Sequence, residues 1–171
     1  WHDLIAPLPA PRVVVLIGGN SRTHKLGPSE MDALIARLLD LHAKEKASLM
    51  ITISRRTPAD LVTRLSASCR GTGALIYTGI GENPYHGFLA WADRIICTND
   101  STSMISDAAT TGKPIEIFPL RGTSRRSVRF LAHLKDLGVI GNKTPASYTP
   151  FCDSARVAQK IQEMLEQRKR N

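Results

Sequence analysis

An α/β fold, with a Rossmann-like parallel sheet and helices on both faces, is what this sequence predicts. Three observations carry that expectation. Five short apolar runs alternate with stretches of helical character, the pattern of repeated β-α-β units. The first run, "RVVVLI" at Arg12–Ile17, is continuously β-branched or aliphatic, as in a strand buried on both faces. Each run gives way to a polar or Gly-rich loop, and right-handed crossovers would place all of these loops along one sheet edge.

Taken in order, residues 1–11 contain Pro7, Pro9 and Pro11 and read as an extended linker from a preceding amino-terminal domain. The remainder, 12–171, reads as one domain, which suits a chain of 171 residues. After the strand Arg12–Ile17, "GGNSRTHKLGPS" is a loop. Ser29 is the expected N-cap of a helix over Glu30–Lys46, with Leu34, Ile35, Leu38, Leu39 and Leu41 as its apolar residues. Ser48–Ile53 is the second strand. "SRRTP" breaks it, and Pro58 stands where the helix Ala59–Ser68 begins. Ala74–Tyr77 is the third strand, and "TGIGENP" leads into a short helix, Tyr85–Trp91. Arg94–Cys97 is the fourth strand, followed by a helix over Ser101–Thr111. Gly112 fits the left-handed position after that helix, and Pro114 stops its continuation. Ile115–Phe118 is the fifth strand. A helix over Ser127–Leu137 ends at Gly138, and Ser154–Gln167 forms a last amphipathic helix with Val157, Ile161, Met164 and Leu165 on one side.

The totals narrow the function classes. A hydrophobic fraction of 42% supports a packed core, and no apolar run reaches the ~20 residues of a membrane-spanning helix. The amino terminus lacks the charged-then-apolar pattern of a signal peptide and has no initiator Met, as in an excised domain. The net charge of +8 favours an anionic partner, whether a phosphorylated small molecule, a membrane surface or nucleic acid. The few aromatics lie apart from the basic clusters, which counts against a base-stacking platform for single strands. Cys69, Cys97 and Cys152 have no metal-ligand spacing and read as reduced thiols, with Cys97 in the core. No metal site is expected.

Several strand-end clusters suit an anion, and each has a plainer reading beside it. Gly18, Gly19, Asn20 and Ser21 follow the first strand, where glycines admit a phosphate and exposed N–H groups form a nest. They match neither GxGxxG nor a P-loop, and a simple turn explains them equally well. Arg55 and Arg56 put two guanidinium groups at a strand end, suited to bidentate phosphate contacts. Solvated surface arginines are the alternative. "NDSTS" opens a helix, where Asp100–Ser103 can cap the orphan N–H groups, and Ser101, Thr102 and Ser103 can hold a phosphate at the same place; the two are compatible. Asp107, further along, could accept hydrogen bonds from a ribose diol or be an ordinary helical Asp. Arg121, Arg125, Arg126 and Arg129 form the densest basic cluster, and a solvated face is its plain reading. His24 and His86 lie in or beside these loops and could exchange protons near neutral pH. No catalytic residue is assigned.

"RVVVLIGGNS", "ITISRRTP", "GENPYHGFLAWADRIICTNDSTSMISDAATTGKPIEIFPL" and "YTPFCDSARVAQKI" together resemble the mitochondrial-fission "elongated mitochondria" family. That family is named for a plant member, is widespread in bacteria and is linked there to glycosyl transfer. The resemblance covers Pro11 to Ile161. "AWAD", "IIC", "SDAATTGKP" and "FP" are also similar to the carboxy-terminal half of B-type glycosyltransferases, such as the lipid-linked N-acetylglucosaminyl transferase of peptidoglycan synthesis.

The resemblance implies a donor-binding domain for a nucleotide-diphosphate sugar such as a uridine-diphosphate sugar. Gly18-Gly19-Asn20-Ser21 would face the cleft near the diphosphate. Gly81 and Glu82 would lie beside the base, and Ser101, Thr102 and Ser103 would meet the diphosphate. Asp107 takes the place of a ribose-binding Glu one methylene longer. It also implies that no cofactor is needed beyond the nucleotide-sugar substrate. Transfer would require the chain's own amino-terminal domain, so that this piece alone is inactive. Two alternatives accompany that reading. One is a non-enzymatic fission-related interaction protein at an anionic membrane surface; the other is a nucleotide-sugar 2-epimerase. The implied location is cytoplasmic, peripheral to the inner membrane in a bacterium or at the mitochondrial surface in a plant. Nucleic acid is not an expected partner.

Overall fold

The computed structural model describes residues 1–141, 148, 150 and 153–170. In chain order the elements are α1 (His2–Ile5), β1 (Arg12–Ile17), β2 (His24–Lys25), α2 (Pro28–Glu45), β3 (Ser48–Ile53), α3 (Ala59–Ser68) and β4 (Leu75–Tyr77). They continue with α4 (Tyr85–Trp91), β5 (Arg94–Thr98), α5 (Thr102–Ala109), β6 (Ile115–Phe118), β7 (Arg121–Gly122), α6 (Arg125–Asp136) and α7 (Asp153–Arg170). Five strands form one sheet in the order β4-β3-β1-β5-β6, and every pairing within it is parallel. The Rossmann-like α/β fold expected from the sequence is therefore the one observed.

Strand periodicity explains the two layers. In β1, Val13, Val15 and Ile17 point into one core while Val14 and Leu16 point into the other. The first core is closed by α2, through Met31, Leu34 and Leu38, and by α3, through Leu61 and Leu65. The second is closed by α4 with Phe88 and Leu89, α5 with Ile105, Ala108 and Ala109, and α6 with Leu134. Each fully buried aliphatic side chain of this kind contributes ~1.5–3 kcal/mol relative to exposure. Cys97 lies in the second core and is fully buried, as its strand position predicts.

The strand order places the site. The chain runs outward from β1 to β3 and β4, then returns to the other side of β1 for β5 and β6. The switch point is thus between β1 and β5, where the loops beginning at Gly18 and at Asn99 emerge side by side. Ligands of open parallel sheets bind at such a point, beyond the carboxyl ends of the strands.

Some local expectations are corrected. The first eleven residues are not an extended linker throughout: α1 forms at His2–Ile5, and Ile5 is fully buried in the second core. Helix α2 begins before Ser29. Gly27 is the N-cap, Pro28 occupies the first turn, and the Glu30 carboxylate accepts the Gly27 N–H at 2.9 Å. Helix α6 starts at Arg125, capped by Ser124, whose hydroxyl accepts from Ser127 N at 3.0 Å. The two-residue strands β2 and β7 pair antiparallel and were not foreseen, being too short to carry a periodicity. Gly112 does adopt the left-handed conformation, with φ 70°. In α7, Val157, Ile161, Met164 and Leu165 share a face as the spacing predicts, but that face is exposed. Cys152 falls outside the described residues.

Candidate functional site

Three loops at the switch point are knitted together by Asp100. Its side chain is fully buried and has three partners: Gly19 N donates to Oδ2 at 3.0 Å, the Thr98 hydroxyl donates to Oδ1 at 2.7 Å, and an Arg56 guanidinium nitrogen donates to Oδ2 at 2.8 Å. Around this knot, Gly18 N donates to the Thr98 hydroxyl at 2.8 Å and the Thr57 hydroxyl donates to Gly18 O at 2.5 Å. Asn20 N donates to Arg56 O at 3.1 Å. The loops after β1, β3 and β5 are therefore bonded into one floor.

That floor revises the reading of the glycines. The N–H groups of Gly18, Gly19 and Asn20 are all spent inside the protein, so the nest of free amides expected there does not form. The residues are glycine because the loops touch. A Cβ on Gly18 would stand 2.1 Å from an Asp100 carboxylate oxygen, and one on Gly19 would stand 2.2 Å from Arg56 O. Ser21 Oγ is also engaged, accepting the amides of Thr23 and His24. Arg56 belongs partly to the knot, whereas Arg55 is exposed. A cavity of about 630 Å³, whose lining includes Ser54, Arg55, Thr57, Thr78 and Ile80, opens at the same edge.

Free donors appear at the start of α5. Ser101 is the N-cap, and its hydroxyl accepts Met104 N at 3.4 Å. The amides of Thr102 and Ser103 have no hydrogen-bond partner among the described residues. Two open N–H groups, the positive end of the helix dipole and the hydroxyls of Thr102 and Ser103 are donors of the kind an anion needs. Capping by Ser101 leaves these donors open.

Asp107 lies one turn further on, ~6 Å along the axis from Ser103 and on the same side of α5. It is half-buried, and its Oδ2 accepts the Tyr85 hydroxyl at 2.8 Å. Tyr85 was not foreseen as a site residue, because nothing in the sequence signals a contact across 22 positions. Gly81 and Glu82 are exposed in the loop after β4, whose next helix carries Tyr85. The Gly81 carbonyl accepts the Tyr77 hydroxyl at 3.3 Å. The structure thus joins Gly18, Gly19, Asn20 and Arg56 to the loop that leads into Ser101, Thr102, Ser103 and Asp107; Gly81 and Glu82 have no direct bond to that group.

Charge around the site is positive. Arg22, Lys25, Arg55, Arg121, Arg125, Arg126 and Arg129 are exposed in or next to the strand-end loops. Lys25 sits directly opposite Arg121 in the β2–β7 ribbon, where like charges repel. The patch is fastened to the floor by Asn99, whose Oδ1 accepts Leu120 N at 2.9 Å and whose carbonyl accepts the Ser127 hydroxyl at 3.4 Å. Cys97 lies beneath. Burial, reinforced by the Asp100 and Asp107 carboxylates, pushes its thiol up, so it is an inert thiol at neutral pH. His24 is buried, with Nδ1 3.0 Å from the Thr23 hydroxyl, while His86 is exposed. Among the described residues no group of His, Cys, Asp and Glu is placed to hold a metal ion, and no helix is long and apolar enough to cross a membrane.

Comparison with known proteins gives the fold and the family. Among solved structures, a protein of Listeria monocytogenes assigned as a UDP-N-acetylglucosamine 2-epimerase superposes with a TM-score of 0.64 at 16% identity. The match covers 98% of this chain and 49% of that one. The UDP-GlcNAc 2-epimerase of Neisseria meningitidis, solved with UDP-GlcNAc bound, gives 0.51 at 14% identity over 96% of this chain and 39% of its own. These likenesses show the fold. Mitochondrial fission protein ELM1 of Arabidopsis thaliana is 35% identical over 177 residues, 98% of this chain and 41% of the plant protein. An uncharacterized protein of Rickettsia prowazekii is 31% identical over 165 residues, 89% of this chain and 46% of the bacterial one. The chain thus spans less than half the length of the curated relatives it matches. The family model for Mitochondrial fission ELM1 matches residues 1–165, and on that match and the plant relative the chain belongs to the Mitochondrial fission ELM1 family.

Proposed function

We propose that this chain is the donor-binding domain of a glycosyltransferase that uses a nucleotide-diphosphate sugar. One observation carries the reading: two open amides and two hydroxyls at the start of α5, one helical turn from the Asp107 carboxylate, at the switch point of a parallel sheet. That spacing suits a nucleotide whose diphosphate meets Thr102 and Ser103 and whose ribose diol meets Asp107. The neighbours named for UDP-sugar enzymes are consistent with it.

In transfer, the sugar–diphosphate bond breaks and negative charge grows on the leaving diphosphate. Preorganised donors stabilise such charge without reorganisation, and here α5 and the strand-end arginines supply them. The acceptor groove and any general base belong, on this reading, to the amino-terminal domain the relatives' length leaves room for. The 2-epimerase alternative needs an acid and a base carboxylate in the cleft; Asp100 is committed to three partners, which leaves that alternative only the open oxygen of Asp107 and the exposed Glu82. Calorimetric titration with uridine diphosphate tests the proposal. Saturable binding that weakens at least tenfold in Asp107→Ala is the expected result. Absence of binding to folded protein contradicts it.

The basic edge favours a second reading, in which the chain docks on an anionic membrane surface as an interaction platform in fission. Lys25 facing Arg121, which the Glu30 carboxylate at 3.9 Å offsets only in part, with Arg125 and Arg126 at the positive end of α6, makes a basic edge that anionic headgroups would neutralise. A location at the mitochondrial surface in a plant, or at the inner membrane in a bacterium, goes with it. Co-sedimentation with phosphatidylglycerol vesicles separates the two readings. Salt-sensitive binding that survives Ser101→Ala with Asp107→Ala supports the platform, and equal failure on anionic and neutral vesicles rules it out.

A further inference from the structure

We infer that Tyr85 sets a ribonucleotide preference at this site, by holding the Asp107 carboxylate in the orientation that accepts a ribose diol. The inference rests on reading the site as a nucleotide site, and it assigns Tyr85 as a positioning residue.

Tyr85 is pinned from several sides. It is the first residue of α4, and its amide donates to Asn83 Oδ1 at 3.0 Å. Its ring is half-buried, packs against the second core, and meets the His86 ring edge-on at 5.3 Å between centroids. Its hydroxyl reaches Asp107 Oδ2 at 2.8 Å. Helices α4 and α5 both sit on that core, through Phe88 and Leu89 on one and Ile105 and Ala108 on the other. The bond therefore ties a side chain on one packed helix to a side chain on another, the condition for precise placement of a binding group.

The chemistry fixes the direction of the bond. Burial first, and Asp107 second, push the Tyr85 phenol well above its ordinary range, so it stays protonated and donates at any working pH. Asp107 Oδ2 is then an acceptor from Tyr85. Oδ1 has no partner among the described residues, and its two lone pairs are left to receive the two O–H groups of a diol. A carboxylate on a half-exposed helix face would otherwise sample several orientations, and fixing it before the ligand arrives removes that ordering cost from binding. The ligand class that profits is a ribonucleoside diphosphate with both diol hydroxyls. A 2′-deoxy analogue forfeits a hydrogen bond to a charged acceptor.

The test is calorimetry with uridine diphosphate and 2′-deoxyuridine diphosphate on the full chain, wild type and the variants Tyr85→Phe, Asp107→Ala and the double variant. Wild type is expected to favour the ribonucleotide by about tenfold. Tyr85→Phe narrows that ratio to about threefold, Asp107→Ala removes it, and adding Tyr85→Phe to Asp107→Ala changes nothing further. A merely structural tyrosine would lower the melting temperature and weaken both nucleotides equally, leaving the ratio intact; that result overturns the inference. A wild type that binds both nucleotides equally also overturns it, while the nucleotide site stands. Failure of wild type to bind either nucleotide overturns the nucleotide site and this inference together.

Discussion

Replacing Asp100 with alanine is expected to destabilise the protein by about 3 kcal/mol, which for a chain of this size lowers the melting temperature by roughly 6–12 °C. The side chain is fully buried and accepts from Gly19 N, the Thr98 hydroxyl and Arg56. Its removal strands the buried Gly19 N–H, at ~1–3 kcal/mol when unsatisfied, and leaves the Thr98 hydroxyl only the Leu16 carbonyl at 3.5 Å. The Arg56 contribution is discounted, because its side chain is 40% exposed and water replaces much of the lost pairing. Asparagine keeps one acceptor oxygen and the shape, so Asp100→Asn is expected to lose about half as much. Differential scanning calorimetry reads both. A change below about 1 kcal/mol in the alanine variant would mean that the knot does not hold the three loops together.

Gly19→Ala is the second large effect. Its new Cβ would stand 2.2 Å from Arg56 O and 2.3 Å from Arg56 C, both backbone atoms that cannot rotate away. Relief requires the two loops to part, which breaks the bond from Asn20 N to Arg56 O and the bond from Gly19 N to Asp100. Overpacking of this kind costs ~1–3 kcal/mol by itself, and the broken bonds place the variant at or above the upper end. Urea denaturation should show a lower midpoint with the slope unchanged. A midpoint equal to wild type would contradict the close approach of the loops.

The sheet was legible in the sequence because its signal is local. A short, Val-rich continuous run such as "RVVVLI" favours a strand buried on both faces, and β3 and β5 share its apolar character. The start of α5 was legible for the same reason: a helix cap is written within four residues. The glycine loop stayed open between a phosphate nest and a turn because its explanation is remote. Only the fold shows that Gly18 abuts Asp100 and Gly19 abuts Arg56, and a phosphate loop and a crowded turn look alike in sequence. Asp100 was seen as a helix-start residue, with no sign of three partners drawn from two other loops. The link from Tyr85 to Asp107 and the ribbon placing Lys25 against Arg121 are tertiary facts without any periodic trace. Helix α7 marks the opposite limit. Its apolar stripe is plain in the sequence, yet an amphipathic pattern states only that a face wants cover, and here that face is exposed.

The central claim is that the open amides of α5 and the Asp107 carboxylate hold a nucleotide diphosphate at the switch point between β1 and β5. Titrating the amide NMR spectrum with uridine diphosphate tests it most directly. The account predicts the largest shifts at Thr102 and Ser103, a further shift near Asp107 and Tyr85, and amides at Gly18 and Gly19 that keep their protein partners. Shifts centred at the opposite end of the sheet, in the cavity of about 750 Å³ bordered by Arg37, Arg94, Glu116 and Lys135, or no shifts at all, would contradict it.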